Sequence, residues 1–260
     1  MTDKLRIETH GNGPLQLAMI HGWAMTSDLF ATIVEHFQSN ATLHLIDLPG
    51  HGRSRDVTLP LQIEPVVDQL VHRLDEGTLW LGWSMGGLFA HAAARQGHGA
   101  GLVMLSSTPC FAQRDDWPHG IKPSVLANMR HALATDAHRT VLDFLQLEVL
   151  SVTRSHPSLE TIKDDAFHHG LPTAAALEQG LNVLEAIDIR PQVAELSIPN
   201  LWIGGSRDRL VAPSTLKEAA ELSAFGESHV IDGAGHAAFI SAPDALNGQL
   251  EQFAVKHGWI

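Results

Sequence analysis

The chain of 260 residues lacks or nearly lacks several residue types, and each absence excludes a class of protein. Cysteine occurs once, at Cys110, so no disulfide can form within the chain. Tyrosine is absent, so no phenol can serve as an acid or as an oxyanion donor. No apolar run approaches the roughly 20 residues of a membrane-spanning helix, and the first residues do not resemble a signal peptide. We therefore expect a cytoplasmic protein that has no membrane partner.

Basic residues are also scarce in this chain. The 17 lysines and arginines face 29 aspartates and glutamates, which gives a formal net charge of −12 with the 17 histidines neutral. A protein that binds nucleic acid needs a basic face to neutralise phosphates, so we expect no nucleic-acid partner. No set of metal ligands and no phosphate-binding glycine motif stands out. We predict that the protein works as a monomer, without a metal or a cofactor.

Hydrophobic residues make up 44% of the chain, which is enough for a substantial core. Apolar strand patterns alternate with helical spacing in the first part of the chain and again near its end. The predicted strands are residues 15–20, 42–48, 78–83, 101–105, 200–204 and 228–231. The predicted helices are residues 28–38, 63–74, 86–96, 214–222 and 242–257. This order predicts an α/β fold with a mostly parallel central sheet flanked by helices.

The alternation stops between residues 111 and 187. Helical spacing there covers residues 125–133, 140–150, 158–167 and 174–184, with no convincing strand. Four consecutive helices do not fit the repeating strand–helix order of the rest of the chain. We therefore predict a helical cap inserted at 111–187, and a core that is built from 1–110 and 188–260.

The strongest chemical motif is Gly82-Trp83-Ser84-Met85-Gly86, which fits the pattern G-x-S-x-G. It lies directly between a predicted strand and a predicted helix, as the tight turn of a nucleophile elbow requires. The two glycines let neighbouring backbone approach the turn closely. We predict that Ser84 is a catalytic nucleophile; the alternative is a glycine-rich turn with an incidental serine.

A serine hydroxyl needs a base that takes its proton, and the base needs a carboxylate that orients it. His236 follows the last predicted strand, so we expect it at the same sheet edge as Ser84. Asp208 is the carboxylate of the loop after the predicted strand 200–204, and we predict that it is the acid. Asp232 is the rival for this role, but its place at a strand end is typical of a turn-forming residue.

Acyl transfer also needs backbone N–H groups that bind the oxyanion. We predict the N–H of Met85, directly after the nucleophile, and the N–H of Trp23, in the loop after the first predicted strand. His21 in the same loop is predicted to brace it without a catalytic role. The side chain of Trp83 is either a wall of an apolar pocket or an ordinary core residue.

Taken together, these motifs resemble the α/β-hydrolase superfamily over the whole chain. A narrower resemblance is to the pimeloyl-[acyl-carrier protein] methyl ester carboxylesterases of biotin synthesis. The segments that carry it are 43–50, 80–88, 106–111, 114–118, 121–123, 139–141 and 144–145. The resemblance implies an enzyme that removes the methyl group from a pimeloyl chain on acyl carrier protein and releases methanol.

The resemblance also implies a set of binding residues. Those implied to contact the substrate are Trp23, Ser84, Met85, Phe144, Leu145, Gln146, Leu147, Glu148 and His236. Basic cap residues are implied to bind the acidic carrier protein, and the candidates are Arg130, Arg139 and Arg154. The sequence departs from this expectation, because residues 111–185 hold six lysines and arginines against ten aspartates and glutamates.

Two other functions are compatible with the same motifs. The first is a broad-specificity short-chain carboxylesterase or a C–C bond hydrolase, which would use the same triad of Ser84, Asp208 and His236. The second is a non-catalytic binding protein of the hydrolase fold. The complete triad argues against the second function, and the family resemblance favours the methyl ester over the first.

Overall fold

The computed structural model describes residues 3–149 and 159–260. The strands in these residues are β1 Arg6–His10, β2 Leu15–Ile20, β3 Ala41–Asp47, β4 Leu79–Trp83, β5 Gly101–Leu105, β6 Asn200–Gly205 and β7 Gly226–Ile231. They form one sheet in the order β1-β3-β2-β4-β5-β6-β7. β1 is antiparallel to β3, and all other neighbouring strands are parallel.

Helices flank this sheet. Their bounds are α1 Ala31–Phe37, α2 Ile63–Val71, α3 Gly86–Gln96, α4 Pro123–Val149, α5 Leu159–Phe167, α6 Ala174–Ala186, α7 Arg190–Ala194, α8 Pro213–Glu221, α9 Ala238–Ser241 and α10 Pro243–Lys256. α3 packs on β4 and β5, α8 packs on β6 and β7, and α1 packs on β3 and α10. None of the helices in the described ranges combines the length and the apolar character that crossing a membrane requires.

The middle of the sheet explains where a site can form. β4 and β5 are buried along their whole length, and their sequences are nearly continuous apolar runs. Such runs are what parallel strands covered on both faces require. Because parallel strands all end at one edge, the loops that follow β2, β4, β6 and β7 gather there. That edge therefore receives the predicted catalytic residues.

The α/β fold with a mostly parallel sheet is confirmed, and the six predicted strands end within two residues of the observed bounds. The predicted elements omit β1, whose residues lie exposed or half-buried at the antiparallel edge. An edge strand of this kind has no continuous apolar run by which sequence could identify it. The predictions also omit α7 and α9, which are too short for helical periodicity to show.

The described part of the region predicted as a cap contains the helices α4, α5 and α6, preceded by turns and isolated β-bridges at residues 112–121. The predicted helices 125–133 and 140–150 lie within α4, which is interrupted at Asp136 by the non-helical angles φ −154° and ψ 90°. The predicted helices 158–167 and 174–184 correspond to α5 and α6, although residues 150 and 158 lie outside the described residues.

The chain leaves and re-enters the core at neighbouring points. Cys110 and Asp188 form an isolated antiparallel β-bridge. Next to this bridge, the N–H of Ile189 donates to the backbone oxygen of Pro109 at 2.9 Å. An insertion needs such closely spaced ends, so the bridge supports a division at 111–187, which stays a prediction.

Candidate active site

Ser84 lies in the tight turn between β4 and α3, with a left-handed backbone angle φ of 54°. Its N–H donates to the backbone oxygen of Leu105 at 2.9 Å, and its own backbone oxygen accepts from Ser107 Oγ at 2.7 Å. A Cβ atom at Gly86 would lie 2.2 Å from the backbone oxygen of Ile20, so only glycine fits there. Strain of this kind at a non-glycine residue is typical of functional sites. The turn thus has the geometry of a nucleophile elbow.

His236 and Asp208 come from different loops and meet at this edge. His236 follows β7 and Asp208 follows β6, and the distance from His236 Nδ1 to Asp208 Oδ2 is 2.8 Å. The other oxygen of Asp208 accepts from the N–H groups of Leu210 and Val211 at 2.8 and 3.0 Å. These bonds orient the carboxylate as an acceptor for Nδ1–H, which leaves Nε2 of His236 as the basic nitrogen.

Nε2 of His236 has no hydrogen-bond partner among the described residues, Ser84 included. Ser84 and Asp208 nevertheless line the same cavity. In enzymes without bound substrate, catalytic hydrogen bonds are often long and tighten only when the substrate is present. The structure therefore brings together the residues that were predicted as the triad, with the serine–histidine contact still open.

The structure shows the surroundings of two residues whose roles the sequence left open, the rival acid Asp232 and the side chain of Trp83. Asp232, the rival acid, is exposed and accepts from Ser206 Oγ at 3.2 Å, as a turn-forming residue does. Trp83 is buried against Phe30 and Phe239 and does not line the cavity beside Ser84. Trp83 is therefore a core residue, and Asp208 rather than Asp232 is the carboxylate that is hydrogen-bonded to His236.

The two predicted oxyanion donors border Ser84. A Cβ atom at Gly22 would lie 3.1 Å from Ser84 Cβ, so the loop that carries Trp23 lies against Ser84. Met85 directly precedes the first residue of α3. Within the described ranges, neither the N–H of Trp23 nor that of Met85 donates a hydrogen bond. Buried N–H groups are normally paired, so two free ones beside a serine suit an incoming oxyanion.

His21 braces the loop that carries Trp23. Its Nε2 accepts from the N–H of Leu48 at 2.9 Å, and its Nδ1 contacts the backbone oxygen of Gly22 at 2.8 Å. Burial lowers the pKa of His21, so the ring stays neutral and can accept this bond.

In the part of the chain that the structure describes, no three metal-binding side chains are grouped so that they could hold an ion.

A cavity of about 750 Å³ extends from Ser84 to the protein surface. Trp23, Phe144 and Leu147 contribute to its largely apolar wall. Two of the other predicted substrate contacts, Leu145 and Gln146, do not line it. Helix periodicity explains the difference, because Leu145 lies on the buried face of α4 and Gln146 is exposed.

Met85, Glu148 and His236 complete the predicted substrate contacts; all three are buried, and none is among the residues that line the cavity. Glu148 is the unexpected one, because its Oε1 lies 3.9 Å from His236 Nε2. Burial raises the pKa of the Glu148 carboxyl well above its usual range, and the charge of Asp208 raises it further. The family resemblance implies only an acyl-chain contact for Glu148, so its place beside His236 is a finding of the structure.

The arginines predicted to bind the carrier protein are already paired where they are described. Arg130 contacts the carboxylates of Glu178 and Glu185, and Arg139 contacts Asp143 at 2.9 Å. The third candidate, Arg154, lies outside the described residues. These contacts reduce the positive charge that Arg130 and Arg139 present to a partner, and their docking role stays a prediction.

Two other cations stand at the cavity opening, and the sequence predictions omit them. Lys122 and Arg209 are exposed and line the cavity, and within the described residues neither pairs with a carboxylate. Lys122 precedes α4, whereas Arg209 directly follows the predicted acid Asp208. The position of Arg209 directly after Asp208 could have indicated that it lies near the site. No feature of the local sequence distinguishes Lys122 from other surface lysines.

Comparison with known proteins identifies the family of this chain. A family model described as alpha/beta hydrolase fold matches residues 17–243. The pimeloyl-[acyl-carrier protein] methyl ester esterase of Stenotrophomonas maltophilia (strain R551-3) is 41% identical over 250 residues, which cover 96% of each protein. The protein of the same name from Xylella fastidiosa (strain M12) is 40% identical over 253 residues, covering 95% of this chain and 97% of the relative. The chain belongs to this α/β-hydrolase family of methyl ester esterases.

Solved structures agree with this esterase in fold. A bromoperoxidase from Bacillus anthracis has a TM-score of 0.86 at 19% identity, and it covers 96% of this chain and 94% of its own. An esterase from Exiguobacterium antarcticum has a TM-score of 0.82 at 19% identity with the same coverage. At such identities the likeness shows the fold alone. The α/β-hydrolase fold and the family resemblance predicted from the motifs are thus confirmed.

Proposed function

We propose that this esterase hydrolyses the methyl ester of a pimeloyl chain carried on acyl carrier protein, with Ser84 as its nucleophile. The observation that carries the proposal is the 2.8 Å contact of Asp208 with His236, at the sheet edge that also holds the strained turn of Ser84. The relatives that are 41% and 40% identical bear the name of this ester, which supports the choice of substrate.

The first half of the reaction forms an acyl-enzyme. Ser84 Oγ attacks the ester carbonyl carbon while its proton passes to Nε2 of His236. Asp208 accepts the Nδ1–H bond, which fixes the tautomer and stabilises the imidazolium. The N–H groups of Met85 and Trp23 hold the negative oxygen. The bond to the methoxy oxygen then breaks, and His236 returns the proton to form methanol.

The second half of the reaction frees the enzyme. A water molecule attacks the acyl-enzyme carbonyl and gives one proton to His236 Nε2. The bond to Ser84 Oγ breaks, the proton returns to that oxygen, and the pimeloyl chain leaves with a free carboxylate. Water must reach the base only after methanol has left, and the burial of His236 restricts that access.

The cavity supports an acyl substrate that is anchored outside the protein. An apolar wall with Trp23, Phe144 and Leu147 suits a hydrocarbon chain, and the volume of about 750 Å³ lies within the usual range for ligand sites. The carrier protein would remain at the opening. Lys122 and Arg209 are the cations that an acidic carrier meets there, because the arginines of α4 are held by carboxylates.

The decisive experiment is turnover of the methyl ester of pimeloyl-carrier protein by the purified chain. We expect stoichiometric release of methanol and loss of the methyl group from the carrier-bound acid, both measured by mass spectrometry. Ser84→Ala is the matched control and should release none. Complementation of a biotin auxotroph that lacks this esterase tests the same activity in a cell.

Each alternative function predicts a different result. Equal kcat/KM for short free esters and for the carrier-bound ester would favour a broad-specificity carboxylesterase. No methanol release, combined with no labelling of Ser84 by a fluorophosphonate probe, would favour a non-catalytic binding protein. Methanol release that persists in Ser84→Ala would contradict the role of Ser84 in the mechanism, but it would still support the proposed substrate.

A further inference from the structure

Glu148 is a buried carboxyl that the proposed mechanism does not use. Its side chain is fully covered near the end of α4, and neither of its oxygens has a hydrogen-bond partner among the described residues. Nε2 of His236 is also covered and also lacks a partner in the described chain. The 3.9 Å between Glu148 Oε1 and this nitrogen is too long for a direct hydrogen bond.

The spacing of these two atoms suits one shared oxygen atom. An oxygen at a normal hydrogen-bond distance of about 2.8 Å from each atom would subtend an angle of about 90° between them, which a hydroxyl or a water accepts. Both atoms are shielded from bulk solvent. A single oxygen between them would complete the hydrogen bonding of both groups.

Ester hydrolysis places an oxygen at this position twice. During acylation, the alkoxy oxygen of the leaving alcohol takes a proton from Nε2. During deacylation, the attacking water gives a proton to the same nitrogen. In both steps the oxygen lies within hydrogen-bond distance of Nε2. On the side of Nε2 that faces Glu148, an oxygen at that distance can also form a hydrogen bond with the Glu148 carboxyl.

We propose that Glu148 is a further catalytic residue, which binds the oxygen that exchanges a proton with His236. The proposal rests on the ester hydrolysis argued above. A neutral carboxyl has one O–H donor and one carbonyl acceptor. The O–H donates to the leaving alkoxy oxygen, and the carbonyl oxygen accepts from the attacking water. The proton of Glu148 stays on Glu148 throughout, while His236 alone transfers the reacting proton.

The surroundings of Glu148 favour the neutral form that this role needs. Burial raises the pKa of the Glu148 carboxyl, and the charge of Asp208 adds to the effect. An ionised Glu148 would have no hydrogen to donate, and it would hold a proton on His236 when the base must be free. Glutamine has both a donor and an acceptor, whereas methionine fills a similar volume without either function.

Hydrolysis of p-nitrophenyl butyrate by Glu148→Met and Glu148→Gln tests the proposal. The p-nitrophenolate group leaves without a proton, so acylation does not need Glu148, but deacylation still needs a positioned water. We expect Glu148→Met to release one p-nitrophenolate per enzyme in a fast burst and then turn over about 10- to 100-fold more slowly than the wild type. Glu148→Gln should stay within about fivefold of the wild-type rate, because it restores both hydrogen bonds.

The other outcomes overturn the proposal. Wild-type turnover in Glu148→Met would show that Glu148 binds no reacting oxygen. Equal slowing in Glu148→Met and Glu148→Gln would also contradict it, as would loss of the burst together with a lower melting temperature, which indicates a structural role. The assay uses a small free ester, so it remains valid if the carrier-bound substrate proposed above proves wrong.

Discussion

The indole Nε1 of Trp83 donates a hydrogen bond to the backbone oxygen of His236 at 3.1 Å. Trp83, the residue before the proposed nucleophile Ser84, thereby holds the loop of the proposed base. The indole ring also packs against the imidazole of His236, with 5.7 Å between ring centroids, and against Phe239. Because these contacts join the turn after β4 to the loop after β7, the spacing of Ser84 and His236 depends on Trp83.

Trp83→Phe should therefore reduce activity as well as stability. The change removes the hydrogen bond and leaves a small cavity, and we expect a loss of about 2 kcal/mol in the free energy of unfolding. We expect kcat to fall about tenfold or more, because His236 is no longer held in place. Urea denaturation and ester hydrolysis measure the two effects.

Trp202→Phe is the matched control for this variant. Trp202 is equally buried and donates from its indole to Asn200 Oδ1 at 3.0 Å, away from the triad. It should lose similar stability while kcat stays near the wild-type value. If both variants lose kcat to the same extent, the Trp83–His236 bond has no specific role in catalysis.

Asp208→Asn should lower kcat for ester hydrolysis about 10³- to 10⁴-fold, as loss of the orienting carboxylate does in serine proteases. The amide of asparagine has an NH₂ group that can donate to Nδ1 of His236. That hydrogen bond stabilises the tautomer with the proton on Nε2, in which Nε2 cannot act as a base. Asp232→Asn removes a carboxylate that contacts only Ser206 among the described residues and should leave kcat within a factor of about three. A larger effect at Asp232 would reverse the assignment of the acid.

Charge reversal at the cavity opening should affect the carrier-bound ester selectively. We expect Lys122→Glu and Arg209→Glu to raise KM for the methyl ester of pimeloyl-carrier protein about tenfold each, because both present an unpaired charge at the opening. The effect should shrink at high salt, which screens exposed charges. KM for a small free ester should not change.

Two comparison variants sharpen this test of the docking site. Lys256→Glu changes an exposed, paired cation that does not line the cavity, and it should leave both KM values unaltered. Arg139→Glu tests the position that the family resemblance suggests, and it should have the smaller effect, because Arg139 is paired with Asp143. A larger effect at Arg139 would move the docking site onto α4.

Glu148→Gln should change how stability depends on pH. The pKa of Glu148 in the folded protein is raised above its unfolded value, so above the usual carboxyl range the folded state binds more protons than the unfolded chain. The contribution of the protonated carboxyl is complete below the unfolded pKa and declines as pH rises. The wild type should lose stability relative to Glu148→Gln as pH rises above the usual carboxyl range, by at most about 1.4 kcal/mol per pH unit.

Urea denaturation at several pH values measures this difference. Glu64→Gln provides the control, because it makes the same chemical change at an exposed glutamate in the first turn of α2, far from any buried carboxyl. A gap between wild type and Glu148→Gln that does not vary with pH would mean that Glu148 is ionised in the folded protein.

Local patterns in the sequence determined the order of the elements. Strands such as β4 and β5 are buried on both sides, so their apolar runs are visible without any knowledge of the fold. The edge strand β1 has no such run and was missed. The proposed triad of Ser84, Asp208 and His236 could be predicted from topology, because the loops after parallel strands meet at one edge of the sheet.

Only the tertiary structure decided what surrounds these residues. In the structure, Trp83 is buried in the core, whereas Trp23 lines the cavity. The carboxyl of Glu148 lies beside His236. Arg130 forms ion pairs with two carboxylates, whereas Lys122 is exposed at the cavity opening. Such facts depend on which face of a helix is buried and on contacts between distant segments, and local sequence patterns do not specify either one.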